Sequence, residues 1–368
     1  MMKYDFTELK EYLDFLHTAK GLPCGDVIVY LNGGQVYRYS VGTAAPETLY
    51  YMFSCTKPVT VAAGMQLVER GVIGLDDPVC RYFPEYGKAV YKQGDSLLPV
   101  GEKLKIRHLF TMSGGLDYNC ESDAIKRIKA ANPNASTLEI IPAFAETPLE
   151  FEPGTKFRYS LCHDVLAGIT ELASGMSFGS YLRQNIFDPL EMEDATLHLP
   201  KEKEYRLAPA FSAAGGKIVP YEKGIGSFAI TPDYESGGAS LVCSAEDYGK
   251  FAAAMSCGGI SAKGVRILKS ETTDLLRSPQ MTGKHDFTCA AGQGYAYGFG
   301  VRTLATNKFG AKSRIGEFGW DGAAGSFILM DPDAKVGIVY TQQVVGWPSY
   351  FGCLHAPIRD KVYEALNI

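Results

Sequence analysis

The sequence predicts an α/β body, with an antiparallel sheet flanked by helices, into which an all-α region is inserted. Three observations lead to this prediction. Hairpin patterns lie near both ends of the chain, a helical pattern lies at each terminus, and strand patterns become sparse between about residues 75 and 235. We therefore expect a discontinuous α/β domain, residues 1–74 and 236–368, around a mainly helical inserted domain, residues 75–235.

The two ends of the chain carry the clearest secondary-structure signals. Residues 5–19 place their apolar side chains on one stripe, which is typical of an amphipathic helix, and a closing helix is predicted from about Pro357 to Leu366. Apolar runs on either side of short turn segments predict two hairpins. The predicted strands are residues 27–31 with 36–41, and residues 326–330 with 336–340.

The middle of the chain contains short helical stretches separated by Gly/Pro loops. Two of them are Leu166–Ala173 and Tyr181–Phe187. The segment Gly175–Gly179 between them fits G-x-S-x-G, the nucleophile elbow of α/β-hydrolases, but an elbow requires a strand before it. Because the preceding residues have a helical pattern, we interpret Gly175 as a helix stop and Ser177 as the next helix cap.

Composition excludes several classes of function. The formal net charge is -5 and no Lys/Arg-rich block occurs, which argues against a nucleic-acid partner. The longest apolar run, near Val59–Val68, is much shorter than the roughly 18 residues that a membrane-spanning helix needs. Charged residues among the first eight interrupt the apolar stretch that a signal peptide would have, so we expect a cytoplasmic protein without membrane contact.

The cysteines predict neither a disulfide framework nor a metal site. There are nine of them, with no C-x-x-C spacing, and the groupings Cys162-His163 and Cys353-Leu354-His355 lack a second ligand pair. We expect reduced and mostly buried cysteines, as in a reducing compartment, with no metal and no other cofactor.

Ser54 and Lys57 form the strongest candidate for a catalytic pair. The residues that follow Lys57 are apolar on nearly every face, which indicates a buried helix, and Pro58 is tolerated only in the first turn of a helix. Ser54 would therefore lie at the helix N-terminus, with Lys57 on the same side. A lysine that loses hydration there favours its neutral amine, which can take the proton of a serine hydroxyl. The alternative is that Ser54 only caps the helix and Lys57 extends into solvent.

Several segments in order make the first interpretation more specific. Ser54-Cys55-Thr56-Lys57 resembles the S-x-x-K motif of the serine β-lactamase and penicillin-binding protein superfamily. Segments similar to further landmarks of its class C-like branch follow, although Met112 replaces a usual histidine. These segments are 71–79 (GVIGLDDPV), 104–116 (LKIRHLFTMSGGL), 151–160 (FEPGTKFRYS) and 189–192 (PLEM). The resemblance covers roughly residues 24–345 and implies a β-lactamase/D,D-peptidase-like fold.

The resemblance also implies roles for individual residues. Tyr159 matches the tyrosine of the family's Y-x-N motif, which would share a proton with Lys57 and pass it to the leaving group. Residues 320–322, Trp-Asp-Gly, match the third motif, and the backbone N–H groups of Ser54 and Ala323 would form the oxyanion hole.

Two departures from the family pattern point towards its carboxylesterase-type members. Leu161 replaces the asparagine of Y-x-N, and Trp320 replaces the lysine of the K-T-G motif, which helps to hold a substrate carboxylate. Asp321 fits neither pattern, and we expect its side chain to face away from the oxyanion hole. We include Trp320, Asp321, Gly322, Leu161 and Tyr118 among the candidate substrate-binding residues.

The leading hypothesis is a serine hydrolase that forms an acyl-enzyme on Ser54 and acts as a carboxylesterase on small or medium acyl esters. A β-lactamase or D,D-peptidase-like amidase of the same fold is the first alternative. A non-catalytic protein that binds a ligand in the same cleft is an alternative of another class. The expected partner is a small-molecule ester or amide. Hydrolysis and acyl transfer to an alcohol or amine are not separated by sequence.

Overall fold

Strands from both ends of the chain build the main sheet. The computed structural model describes residues 4–214, 217–221, 228–281, 294–347 and 354–368. The strands are β1 (Cys24–Leu31), β2 (Gly34–Gly42), β3 (Leu49–Tyr51), β4 (Val90–Gln93), β5 (Ser96–Pro99), β6 (Phe211–Ala214), β7 (Lys217–Pro220), β8 (Val242–Ser244), β9 (Tyr295–Tyr297), β10 (Arg302–Leu304), β11 (Phe318–Asp321), β12 (Phe327–Asp331), β13 (Val336–Gln342) and β14 (Val344–Val345). The main sheet has seven strands in the order β2-β1-β13-β12-β11-β10-β9, and each neighbouring pair is antiparallel.

Both predicted hairpins are confirmed. β1 and β2 are joined at Asn32 and Gly33, which have φ angles of 51° and 79°, the left-handed conformation that a tight hairpin turn demands. The second hairpin joins β12 to β13. There the Asp331 carboxylate accepts the backbone N–H groups of Asp333 and Ala334 at 3.0 and 2.9 Å. β1 also pairs with β13, so the sheet joins the two ends of the chain.

Helices cover both faces of this sheet. They are α1 (Thr7–Thr18), α2 (Thr56–Glu69), α3 (Glu85–Lys88), α4 (Ile106–Phe110), α5 (Asp123–Ala131), α6 (Thr137–Phe144), α7 (Cys162–Ser174), α8 (Phe178–Leu182), α9 (Ala245–Ser256), α10 (Ser270–Arg277) and α11 (Ala356–Leu366). The terminal helices α1 and α11 bury their apolar stripes in one cluster with β1, β12 and β13, which confirms the terminal helices that the sequence predicts. Helix α9 packs on the opposite face, against β13 and β1.

Helix α2 lies in the core. All its residues from Thr56 to Leu67 are buried, which agrees with the prediction of a helix that is apolar on nearly every face. It packs against α7 of the middle region and contacts α8 and β11. The N-terminus of α2 is therefore held between the sheet and the helical middle of the chain.

The middle of the chain is richer in strands than the sequence indicates. Helices α7 and α8 confirm the two helical stretches, and Gly175 ends α7 with a φ angle of 70°. The G-x-S-x-G segment therefore follows a helix and not a strand. Ser177 caps α8 by accepting the N–H of Ser180. Two small hairpins, β4–β5 and β6–β7, were not predicted. The domain boundaries stay a prediction. Within the described ranges, no helix is long and apolar enough to cross a membrane.

Candidate active site

Ser54 lies in a tight turn that leads directly into α2. The turn is a single 3₁₀ turn, Phe53–Cys55, and α2 begins at Thr56. Phe53 has a φ angle of 46°, a left-handed conformation that costs a non-glycine residue about 1–3 kcal/mol. The Thr56 hydroxyl stabilises this turn by donating to the Phe53 carbonyl at 2.6 Å. The half-buried Ser54 is thereby presented at the start of a buried helix.

Lys57 is fully buried beside Ser54. The residue is 0% exposed, so the alternative in which Lys57 extends into solvent is wrong. Its Nζ donates to Ser54 Oγ at 3.2 Å and to the Gly238 carbonyl at 2.8 Å. The two contacts fix the direction of the amine towards the serine hydroxyl.

Tyr159 reaches the same hydroxyl from the segment before α7. Its phenol donates to Ser54 Oγ at 2.7 Å, and the indole Nε1 of Trp320 donates to the Tyr159 hydroxyl at 3.4 Å. Lys57 Nζ lies 4.5 Å from the centre of the Tyr159 ring. Tyr159, 105 positions away in the sequence, is thus brought to the Ser54 hydroxyl beside Lys57, which is the cluster that the sequence predicts.

Aromatic rings form a wall next to Ser54. Tyr159 stacks between Tyr118, with ring centres 5.6 Å apart, and Trp320, with ring centres 5.8 Å apart. Phe228 contacts the edge of Tyr118 at 5.8 Å. Burial raises the pKa of the Tyr118 phenol well above its usual value, so that group stays neutral at physiological pH. The wall therefore places aromatic surface next to Ser54.

The side chain of Asp321 lies outside this cluster, and the side chain of Leu161 is buried. Trp320 and Asp321 are adjacent on β11, so they point to opposite faces of the sheet. Asp321 forms an ion pair with Arg302 at 2.8 Å, and His355 Nδ1 lies 2.9 Å from its other carboxylate oxygen, away from Ser54, as expected of its side chain. Leu161 is only 1% exposed. The Asp321 side chain points away from Ser54, and the assignment of Asp321 and Leu161 to substrate binding stays a prediction.

The turn after β11 lies against the residues that precede Ser54. A Cβ atom on Gly322 would be 2.6 Å from the Met52 carbonyl oxygen, so only glycine permits this approach. Gly322 N–H donates to the Ser326 carbonyl at 2.8 Å and closes the turn. Ala323 is exposed between them. This proximity is compatible with the predicted oxyanion hole, whose assignment remains a prediction.

A buried polar layer behind Lys57 was missed by sequence reasoning. Asp164 is 0% exposed and accepts the hydroxyls of Tyr234 at 2.8 Å and Ser236 at 2.6 Å. Ser236 Oγ in turn accepts the N–H of Gly238 at 3.1 Å, whose carbonyl binds Lys57. Burial raises the pKa of Asp164. Residues 234–238 and Asp164 are about 70 positions apart, and no local pattern connects them.

His163, close to Lys57, is buried and neutral. Burial, followed by the charge of Lys57, lowers the pKa of His163 from its ordinary 6.5 to about 3. Within the parts of the chain that the structure describes, no group of three His, Cys, Asp or Glu side chains could hold a metal ion. Cys353, which belongs to one of the two Cys/His groupings in the sequence, lies outside the described residues.

The fold and this cluster define a class of protein. The chain belongs to the Beta-lactamase family, whose profile matches residues 9–355. The chain is 26% identical to Esterase EstB of Burkholderia gladioli over 91% of this chain and 89% of that protein. It is 28% identical to Protein Rv1367c of Mycobacterium tuberculosis over 81% of this chain and 78% of that protein.

Solved structures share the fold at low sequence identity. EstCE1, described as a hydrolase with promiscuous acyltransferase activity, superposes with a TM-score of 0.81 at 22% identity, covering 97% of this chain and 98% of that one. Simvastatin synthase (LovD) from Aspergillus terreus superposes with a TM-score of 0.79 at 20% identity, covering 98% of both chains. The β-lactamase-like fold expected from the sequence is thereby confirmed, with esterases and acyltransferases among its neighbours.

Proposed function

We propose that the protein is a serine hydrolase that forms an acyl-enzyme on Ser54 and acts as a carboxylesterase on small or medium acyl esters. One observation carries the proposal. Ser54 Oγ lies 3.2 Å from Lys57 Nζ and 2.7 Å from the Tyr159 hydroxyl, so the nucleophile has two proton-handling groups within hydrogen-bond reach.

The arrangement supports a two-step reaction. Ser54 Oγ attacks the ester carbonyl carbon, and its proton passes to the Lys57–Tyr159 pair while the N–H groups of Ser54 and Ala323 stabilise the negative carbonyl oxygen. The bond to the leaving alkoxide then breaks, and the Tyr159 hydroxyl gives the alkoxide a proton. A water molecule attacks the resulting ester in the same way, which releases the acid and restores Ser54.

The surroundings of Ser54 favour an ester over a β-lactam or peptide. Trp320 occupies the position of the lysine that helps the penicillin-recognising members hold a substrate carboxylate, and it presents an indole to Tyr159. Leu161, at the position of an amide side chain, is buried. Tyr118 and Trp320, which stack on Tyr159, offer no positive charge to a substrate carboxylate. The similarity to Esterase EstB supports the same choice.

The test is the initial rate of p-nitrophenyl butyrate hydrolysis by the wild type, Ser54→Ala and Ser177→Ala. Ser177 is a matched control because it is the serine of the G-x-S-x-G segment and caps α8. We expect Ser54→Ala to lose at least about 1,000-fold in kcat, and Ser177→Ala to keep its rate. Equal rates in the wild type and Ser54→Ala would contradict the proposal.

The alternatives give different results with the same preparation. Turnover of a chromogenic cephalosporin without ester turnover would favour the amidase alternative. If an active-site phosphonate failed to label Ser54 and no substrate turned over, the binding-protein alternative would be favoured. A butyl ester formed when butanol is added would show that an alcohol can replace water in the second step.

A further inference from the structure

Buried charges lie directly behind β11, on the face of the sheet opposite Trp320. Arg302 is 2% exposed. It donates to the Asp321 carboxylate at 2.8 Å and to the Ile328 carbonyl at 2.9 Å. Burying a carboxylate is costly unless it is paired. The buried pair lies directly behind the candidate site, so its presence there calls for a physical explanation.

His355 joins the Asp321 carboxylate to the turn after β11. Its Nδ1 lies 2.9 Å from Asp321 Oδ1, and its Nε2 lies 3.1 Å from the Gly325 carbonyl oxygen. The imidazole also stacks on the Phe327 ring, with centres 4.8 Å apart. The ring therefore lies between the start of the turn and its end, with its two nitrogens facing the Asp321 carboxylate and the Gly325 carbonyl.

The same turn is held from other sides as well. Gln342 Nε2 donates to the Ala324 carbonyl at 3.1 Å, and the backbone N–H of Val344 donates to the same oxygen at 3.0 Å. Gly322 approaches the Met52 carbonyl, two residues before Ser54. A displacement of the turn thus changes the position of Ala323 relative to Ser54.

We propose that Asp321 and His355 are positioning residues that hold the turn 322–326 so that the Ala323 N–H is directed at the substrate carbonyl oxygen. Arg302 anchors Asp321 to the sheet, Asp321 fixes the His355 ring, and His355 fixes the Gly325 carbonyl. The proposal rests on the proposed function, because the Ala323 N–H has this task only in acyl transfer. It gives Asp321 a role from behind the site, without substrate contact.

The experiment compares Asp321→Asn and His355→Gln with Asp331→Asn. Asp331 is a suitable control because it is a buried carboxylate of the same sheet, at the far end of β12 from the turn. We measure kcat and KM for p-nitrophenyl butyrate, together with hydrogen–deuterium exchange of the backbone amides of residues 322–326. The thermal midpoint of each variant shows whether it is folded at the assay temperature.

For Asp321→Asn we expect kcat to fall about 10- to 100-fold, because complete removal of one oxyanion donor costs about 100- to 1,000-fold. KM should stay within about twofold of the wild-type value. Exchange in the turn should become faster. His355→Gln should change both quantities in the same direction, whereas Asp331→Asn should change only the thermal midpoint. A folded Asp321→Asn variant with wild-type exchange in the turn would overturn the proposal. So would a wild-type kcat in that variant, provided that turnover depends on Ser54. If turnover does not depend on Ser54, the proposed function fails, and the exchange rates alone decide the positioning proposal.

Discussion

Replacing Tyr159 by phenylalanine separates proton transfer from aromatic packing. The substitution removes the hydroxyl that donates to Ser54 Oγ at 2.7 Å and accepts from Trp320 Nε1 at 3.4 Å. The ring itself stays, and with it the stacking on Tyr118 and Trp320. The variant therefore loses one chemical group from the site and little of the contact area.

The expected losses in activity and in stability differ widely. A positioned acid–base group contributes about 100- to 10,000-fold to the rate, which corresponds to about 3–5 kcal/mol of transition-state stabilisation. The hydroxyl is half-buried, so its hydrogen bonds contribute only about 1 kcal/mol to the free energy of unfolding. Tyr159→Phe should thus be an almost fully stable protein with a kcat reduced at least about 100-fold.

Tyr181→Phe is the matched control. Its hydroxyl donates to Gln66 Oε1 at 3.2 Å, towards the far end of α2 from Ser54, so this variant loses a buried hydroxyl outside the site. Steady-state hydrolysis of p-nitrophenyl butyrate and urea denaturation are measured for both variants. The reasoning is refuted if Tyr159→Phe keeps kcat within about threefold of a Ser54-dependent wild type, because a proton-transfer role requires a larger loss.

Two further predictions concern Asp164 and His163, which are buried near Lys57. Asp164→Ala should lower the free energy of unfolding by about 3 kcal/mol, because the hydroxyls of Tyr234 and Ser236 lose a buried acceptor. Asp164→Asn keeps an acceptor oxygen and should lose less than half as much. Equal losses of the two variants in urea denaturation would contradict this prediction. His163 has a folded-state pKa of about 3, so below pH 6.5 the unfolded chain binds the proton and the fold does not. Its contribution is therefore complete above pH 6.5 and should decrease by about 3 kcal/mol on acidification to pH 4.5. His163→Gln should show a smaller decrease in thermal midpoint over that interval, and an unchanged decrease would contradict the assignment.

The parts of the fold that could be predicted are those specified by local sequence patterns. Alternating apolar runs around Asn32-Gly33 and Asp331-Pro332 specify hairpins because turn geometry and strand alternation are both local. The strand β9 was not predicted, and it has three residues, too few for a periodic pattern. β9 is positioned by pairing with β10, which in turn pairs with β11, and pairing partners cannot be read from a single segment.

The candidate site divides in the same way. Ser54 and Lys57 lie within one helical turn, so spacing alone places them together, and the family motifs add Tyr159. The contacts of Asp164 with Ser236 and of Asp321 with His355 join segments that meet only in the folded chain. Each partner alone is an ordinary polar residue, and only burial in the fold makes their pairing informative.

The departures from the family pattern are themselves mostly buried. Met112 is 0% exposed, Leu161 1% and Asp321 6%, and Met112 accepts the Ser160 hydroxyl at its sulfur at 3.5 Å. Buried substitutions of this kind alter how the catalytic groups are supported. Trp320 is buried as well, at 7% exposure, and it contacts the hydroxyl that reaches Ser54. Under the proposed function, Ser54 thus acts on an altered support, and the indole at position 320, where the resemblance places a lysine in penicillin-recognising members, is the difference expected to change which acyl groups react.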